Sequence, residues 1–279
     1  MAITIAGSGI VSANIADNEN LGIENFVPQG LICSNDTDAS HDVAISVGGV
    51  RDATNVVNMR LAAILTKRID AAWAVGDNNG GLDGTESSGG TPDASTMYYI
   101  WLIKRSDTGV VDALFSESAT GPTLPTNYDY KRLIGAVRTD GSANIINFLH
   151  HGGDTFTYLT GVVDVADSSI TDDTAETGTL SVPPLASAYI TGGVYNTGES
   201  GTTTFRLQIR TKGSDWSLTA QNIMWLQTQI SGNSKQSYGR SLIPTDSNSQ
   251  VEYATNESAG TANIELTTLG FIMHTRSNP

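Results

Sequence analysis

The chain has 279 residues, with 29 acidic and 15 basic side chains and a net charge of −14; that balance excludes a binder that neutralises nucleic-acid phosphates and a protein drawn to anionic membrane surfaces. Charged residues make up 16 % and hydrophobic residues 39 % of it, too little charge and too many large apolar side chains for a disordered acidic chain. The single cysteine, Cys33, excludes an intrachain disulfide and a Cys-based metal cluster, and no stretch approaches the ~20 apolar residues of a membrane span.

The opening stretch, 1–26, is polar and rich in Asn and Asp after one short strand signal, and reads as an N-terminal arm. Met1–Ile5 lacks the basic start and apolar run of a signal peptide, so synthesis in a cytosol without standard export is expected. Residues 52–75 fit two periods. Val57, Leu61, Ile64, Leu65, Ile69 and Trp73 follow a helical stripe, while Val57, Met59, Leu61, Ala63 and Leu65 alternate as in a strand. The β character of the surroundings favours strand. Met97–Ile103 (MYYIWLI) is a continuous apolar run, as in a strand buried on both faces. Ser106–Gly109 turns the chain into Val110–Phe115. Leu133–Arg138 and Ile145–Leu149 flank Asp140-Gly141, the pair preferred in a type I′ hairpin. Gly152-Gly153 leads into Phe156–Leu159.

The polar, acidic stretch 164–179 reads as a connector and marks a subdomain boundary. Short strand signals follow: Ala188–Tyr195, Thr203–Arg210, Trp216–Ala220, Ile223–Ile230, Tyr238–Ile243, Val251–Ala254, Ile264–Leu266 and Phe271–His274. Gly, Ser, Asn and Pro clusters separate them. The expected fold is all-β, an antiparallel sandwich or jelly-roll-like architecture with two linked β subdomains, 27–163 and 164–279.

Enzyme signatures are lacking. Gly198-Glu199-Ser200-Gly201 is one residue short of a nucleophile elbow and lies in an expected turn. His150-His151 would point to opposite faces of a strand, which argues against joint ligation of a metal. Asp77–Gly84 is oxygen-rich like a calcium loop but has Leu82 where the helix-loop-helix motif needs Gly, and a surface turn is the expectation. Asp164, Asp167, Asp172 and Asp173 form a second acidic stretch with the same expectation. No Gly-rich loop precedes a Lys-Ser/Thr helix start, so a phosphate loop is absent. The sequence therefore assigns no catalytic residue, no metal ligand and no cofactor.

Val57–Gly84 and Tyr98–Gly141 carry Ala72-Trp73-Ala74-Val75-Gly76, Trp101 in its apolar run, Ser106–Gly109, Leu124-Pro125 and Tyr130-Lys131-Arg132 before Ile134-Gly135. In these motifs the central half of the chain resembles a family of virion-associated proteins of tailed phages and prophages, of the tail-fibre, tail-protein or head-decoration kind. Leu180–Pro183 and Thr268–Ile272 match the family more loosely. The resemblance implies a non-enzymatic structural protein located in the virion. It implies a homo-oligomer, trimer first, with other tail, baseplate or capsid proteins as partners. The leading role is host attachment as a tail fibre or receptor-binding tip. The rivals are a head decoration or head-fibre protein and a capsule depolymerase. For attachment to a host glycan or protein, Trp216 and Tyr238 are the candidate surface contacts, because both lie beside expected loops.

Overall fold

Met97–Arg105 forms the expected strand, and every side chain from Tyr98 to Ile103 is buried. A continuous apolar run buries both faces of a strand, and here it lies inside the largest sheet. The computed structural model describes residues 28–84, 90–170, 174–197, 202–214, 224–231, 234–257 and 262–274. Among them there are only strands, turns and loops, so the all-β class stands. In chain order the strands are β1 (Gln29–Gly30), β2 (Cys33–Asn35), β3 (Asp42–Ile45), β4 (Gly48–Arg51), β5 (Asn58–Leu61), β6 (Leu65–Ala72), β7 (Asn79–Leu82), β8 (Met97–Arg105), β9 (Val111–Ser116), β10 (Tyr128–Arg138), β11 (Phe148–His150), β12 (Thr155–Ile170), β13 (Glu176–Thr179), β14 (Ser187–Thr197), β15 (Thr202–Thr211), β16 (Met224–Ser231), β17 (Ser234–Pro244), β18 (Gln250–Glu257) and β19 (Ala262–Ile272).

Twelve strands form one sheet in the order β10-β8-β9-β7-β6-β3-β2-β11-β12-β19-β14-β17. A four-stranded sheet, β13-β18-β15-β16, and a three-stranded one, β1-β4-β5, accompany it. Val165 on β12 touches the four-stranded sheet closely. A side chain at Gly178 would meet Val165 Cγ2 at 2.7 Å and the Tyr253 ring at 3.3 Å. Ile190, Val194, Ile264 and Leu266 of the large sheet are buried in one cluster with Leu207, Ile209 and Val251 of the small one. These contacts make the β-sandwich.

Several expectations change in detail. The pairing is not purely antiparallel, since β6–β7 and β7–β9 run parallel. The ambiguous region 52–75 is strand, as β5 and β6. The hairpin after β10 turns on three residues rather than two. Asp140 and Asn144 close it through their backbones, Ala143 adopts φ +64°, and the Asp140 carboxylate accepts the N–H groups of Ser142 and Asn144. The stretch 164–179 is largely strand, the end of β12 and all of β13. Its acidity misleads because the Asp164 carboxylate is satisfied within the fold, by Ser181 and Thr268. The boundary at 163/164 falls inside β12. The arm over 1–26 lies outside the described residues.

The parallel strands gather around one buried cation. Lys67 on β6 has no exposed side-chain surface, and its Nζ lies 3.3 Å from Asp112 Oδ1 on β9. It also donates to the carbonyls of Ala74, at 2.6 Å, and Gly76, at 3.2 Å. The ammonium sits 5.5 Å from the centre of the Trp73 ring. Trp73 Nε1–H donates to Ala113 O, and Asp112 accepts Gly76 N–H. Burial pulls the Lys67 amine below its usual range, and the Asp112 charge opposes that pull.

A second constraint sits on β19. Up to Thr268 the even-numbered residues face the core; beyond Gly270 the odd-numbered Phe271 and Met273 do. The alternation inverts at Gly270, where the ladder with β14 slips between Tyr189 and Ile190. Gly270 adopts φ +150°, and a Cβ there would stand 2.2 Å from Phe156 O and 2.7 Å from Thr157 Cα. Only glycine fits this bulge.

Two stability predictions follow from these contacts. Lys67→Met and Asp112→Asn each leave a buried group without its partner and should each cost about 3–5 kcal/mol, while the double variant costs less than the sum. Urea unfolding of the four proteins measures the coupling, and strictly additive losses would refute it. Gly270→Ala should lose more than the roughly 1–3 kcal/mol of a strained φ alone, because the clash is with backbone. A melting curve matching the unsubstituted chain would contradict the bulge.

Candidate functional site

Strands β11, β12, β19, β14 and β17 turn one face to the core and the other to solvent. Ala188, Ile190 and Ile243 point inward and are buried. Tyr189, Arg240 and Leu242 alternate with them and point outward, as the two-residue period requires. The outward face is unusually apolar. Leu149, Leu159, Val163, Tyr238 and Leu242 are 49 %, 60 %, 54 %, 54 % and 41 % exposed. A groove of about 370 Å³ runs across it, lined by Thr157, Tyr189, Arg240, Leu242 and Leu269. That volume falls within the roughly 300–1,000 Å³ of small-molecule clefts.

Tyr238 lies on this face, two residues before Arg240 on β17, the last strand of the sheet. It pairs with Gly193 on β14. A Cβ at Gly193 would meet Tyr238 Cε1 at 2.5 Å and Cδ1 at 2.7 Å. The ring therefore spreads over the bare glycine backbone and leaves its other side to solvent. Such a ring is a stacking platform. Arg240 pairs in the ladder with Thr191, which pairs in turn with Thr267, and it makes no salt bridge among the described residues. Sequence reasoning singled out Tyr238 but missed Arg240, Tyr189 and Gly193. The i, i+2 spacing of Tyr238 and Arg240 was the available signal. Trp216 lies outside the described residues.

The other candidates separate. His150 accepts the Cys33 N–H at Nδ1, at 3.0 Å, so its Nε2 carries the proton and donates to Gly153 O. Its ring stacks on Phe156 with centroids 4.2 Å apart. His151 meets Thr157 Oγ1 instead. Within Asp77–Gly84, Asn79–Leu82 is strand β7; Asp77 accepts Thr66 N–H, and Asp83 accepts Ser116 Oγ–H and Thr123 N–H. Asp172, Asp173 and Gly198–Gly201 lie outside the described residues. Among the described residues no group of three or more His, Cys, Asp or Glu is placed to hold a metal.

Two arrangements were not anticipated. Ser187 Oγ and His274 Nε2 lie 2.8 Å apart, but Ser187 sits in a regular strand ladder rather than on a strained strand-to-helix turn. Asp167 on β12 and Glu176 on β13 share Tyr253 Oη–H, at 3.3 and 3.5 Å. Burial first, and then the hydrogen-bonded Asp167, push the Glu176 carboxyl up. Carboxyls in direct contact are closer than the roughly 5–5.5 Å or 6.5–9.5 Å that flank a glycosidic bond in hydrolases.

No protein-family profile matches the chain, and no curated protein does. Among solved structures, the chain is similar to the T13 viral particle of infectious bursal disease virus, abbreviated IBDV, at 11 % identity and a TM-score of 0.22, covering 87 % of this chain and 68 % of that one. The Gx strain structure of the same virus gives 10 % identity and 0.22, over 90 % and 72 %. SGBP-B from a complex xyloglucan utilization locus in Bacteroides uniformis gives 10 % identity and 0.13, over 86 % and 97 %. Likeness this slight transfers neither function nor assembly.

Asp164 offers a pH test. Burial raises its carboxyl above the ordinary 3.8 against the opposing hydrogen bonds of Ser181 and Thr268. A raised folded-state value means its contribution is complete below pH 3.8 and declines as pH climbs through that folded value. The stability of the unsubstituted chain minus that of Asp164→Asn should therefore fall as pH rises from 3.8. A difference flat in pH, in denaturant titrations at several pH values, would count against it.

Proposed function

We propose that this chain is a non-enzymatic structural protein of a phage virion, acting as a tail-fibre or receptor-binding-tip component that attaches the particle to host-surface glycan. The observation that carries the attachment reading is the Tyr238 ring laid over Gly193 beside an open groove, with its outer side free to stack on a sugar. The sequence resemblance to phage virion proteins supplies the particle. A sheet supplies rigidity, so the contact residues keep their spacing without reorganisation on binding. Homo-oligomerisation, as a trimer, would multiply a weak contact into avidity.

A second reading has its own support. Exposed Leu149, Leu159 and Val163 suit a protein interface, as a head decoration protein docked on a capsid would need.

Immunogold labelling of intact virions separates the two. Gold at the tail end is expected, and the purified chain should then block phage adsorption to host cells. Tyr238→Ala should weaken that block at least tenfold. Gold spread over the head would make this a decoration protein.

A further inference from the structure

We infer that this face takes an acidic sugar at the edge of the groove, with the ring on Tyr238 and the carboxylate on Arg240; this rests on the glycan-attachment reading above. Arg51, Lys104 and Lys131 donate to backbone carbonyls, and others take a carboxylate. Lys67, Arg105 and Arg210 each have one. Arg240 instead points from an exposed position into a groove, and its ladder neighbours Thr191 and Thr267 are uncharged. The nearest acidic position in the ladder, Glu265, pairs one step further along with Gly193 and accepts Thr267 Oγ1–H.

A guanidinium presents a planar fork of donors that matches a carboxylate in two parallel hydrogen bonds. Tyr238 and Arg240 are two residues apart on one strand, hence on the same face and about 7 Å apart. A hexose ring lying on Tyr238 brings a ring carboxylate within reach of Arg240. On the other side of Arg240 from Tyr238 the next sugar unit of a polymer meets the groove, where Tyr189 offers a hydroxyl and Leu242 and Leu269 offer apolar surface. A neutral sugar in the same place would strip water from the guanidinium and return no anion, and a buried unpaired charge is costly. That cost selects acidic over neutral sugars. The net charge of −14 repels an acidic polymer at long range, but at physiological salt screening acts beyond about 8 Å. The contact at Arg240 is shorter than that.

The test uses the full chain in calorimetric titrations at physiological salt. The probes are polygalacturonate, alginate and colominic acid, the carboxyl-reduced form of each, and dextran. At least one acidic polymer should bind, and its carboxyl-reduced form should bind at least tenfold more weakly. Arg240→Gln should remove that preference and leave far-UV circular dichroism unchanged, whereas Tyr238→Ala should weaken acidic and neutral forms together. Equal binding of acidic and reduced forms, or of dextran alone, overturns the acidic-sugar inference and leaves glycan attachment standing. Binding of none of the polymers overturns both. Sedimentation velocity covers the remaining occupant: if Leu242→Ser or Arg240→Gln turns an oligomer into monomer, a second copy fills the face and the inference fails.

Discussion

The inversion of side-chain alternation at Gly270 decides which surface this protein hides and which it shows. Strand side chains alternate, so a one-residue slip moves a whole set from one face to the other. Without the bulge, a β19 that buries Leu266 and Thr268 would drive Phe271 and Met273 into solvent. With it, Phe271 stacks on Phe156 at 5.1 Å between ring centres and meets Tyr158 at 6.0 Å. Leu269, one residue before the inversion, points outward by the ordinary alternation and lines the groove with Tyr189 of β14. The aromatic core around Phe271 is thus a consequence of one residue without a Cβ. Gly193 plays the matching part on the outside, because its bare backbone gives the Tyr238 ring a place to lie.

At the far side of the sheet a different device is used. Two parallel ladders, β6–β7 and β7–β9, bring together segments whose connections must loop back. Lys67 reaches across and satisfies carbonyls of the 74–76 segment as well as Asp112. A buried ion pair seldom adds much stability over a well-packed apolar pair, but losing one half is severe. Its contribution is specificity. Only one arrangement of β6, the following loop and β9 gives the ammonium all its acceptors.

Much of this was legible in the sequence. The apolar run of β8 and the strand signal over Thr203–Arg210, where Leu207 and Ile209 are buried, announced strands, because burial imposes the pattern directly. Parallel pairing was not legible, since alternation says nothing of strand direction. The bulge was hidden for a related reason. Ile264–Leu266 and Phe271–His274 read as two strands because the period breaks between them, and a broken period looks the same whether the chain turns or bulges. Asp164 misled because a carboxylate satisfied by hydroxyls inside a sandwich has the composition of a loop. In the candidate site, Tyr238 could be named as an exposed aromatic, but Arg240 became visible only when the ladder showed that no carboxylate stands beside it.

The global charge and the local site pull in opposite directions, and that opposition is informative. A −14 chain stays dispersed and resists sticking to anionic surfaces. Any anionic ligand it does hold must be bound by short-range contacts, which makes binding depend on fit rather than attraction. The outward face has the parts for that: a ring fixed by a glycine, a cation without a neighbouring acid, and strands whose spacing the core enforces. An attachment protein working by avidity gains from such a division, since weak but selective single contacts let a particle sample a surface before many copies hold it.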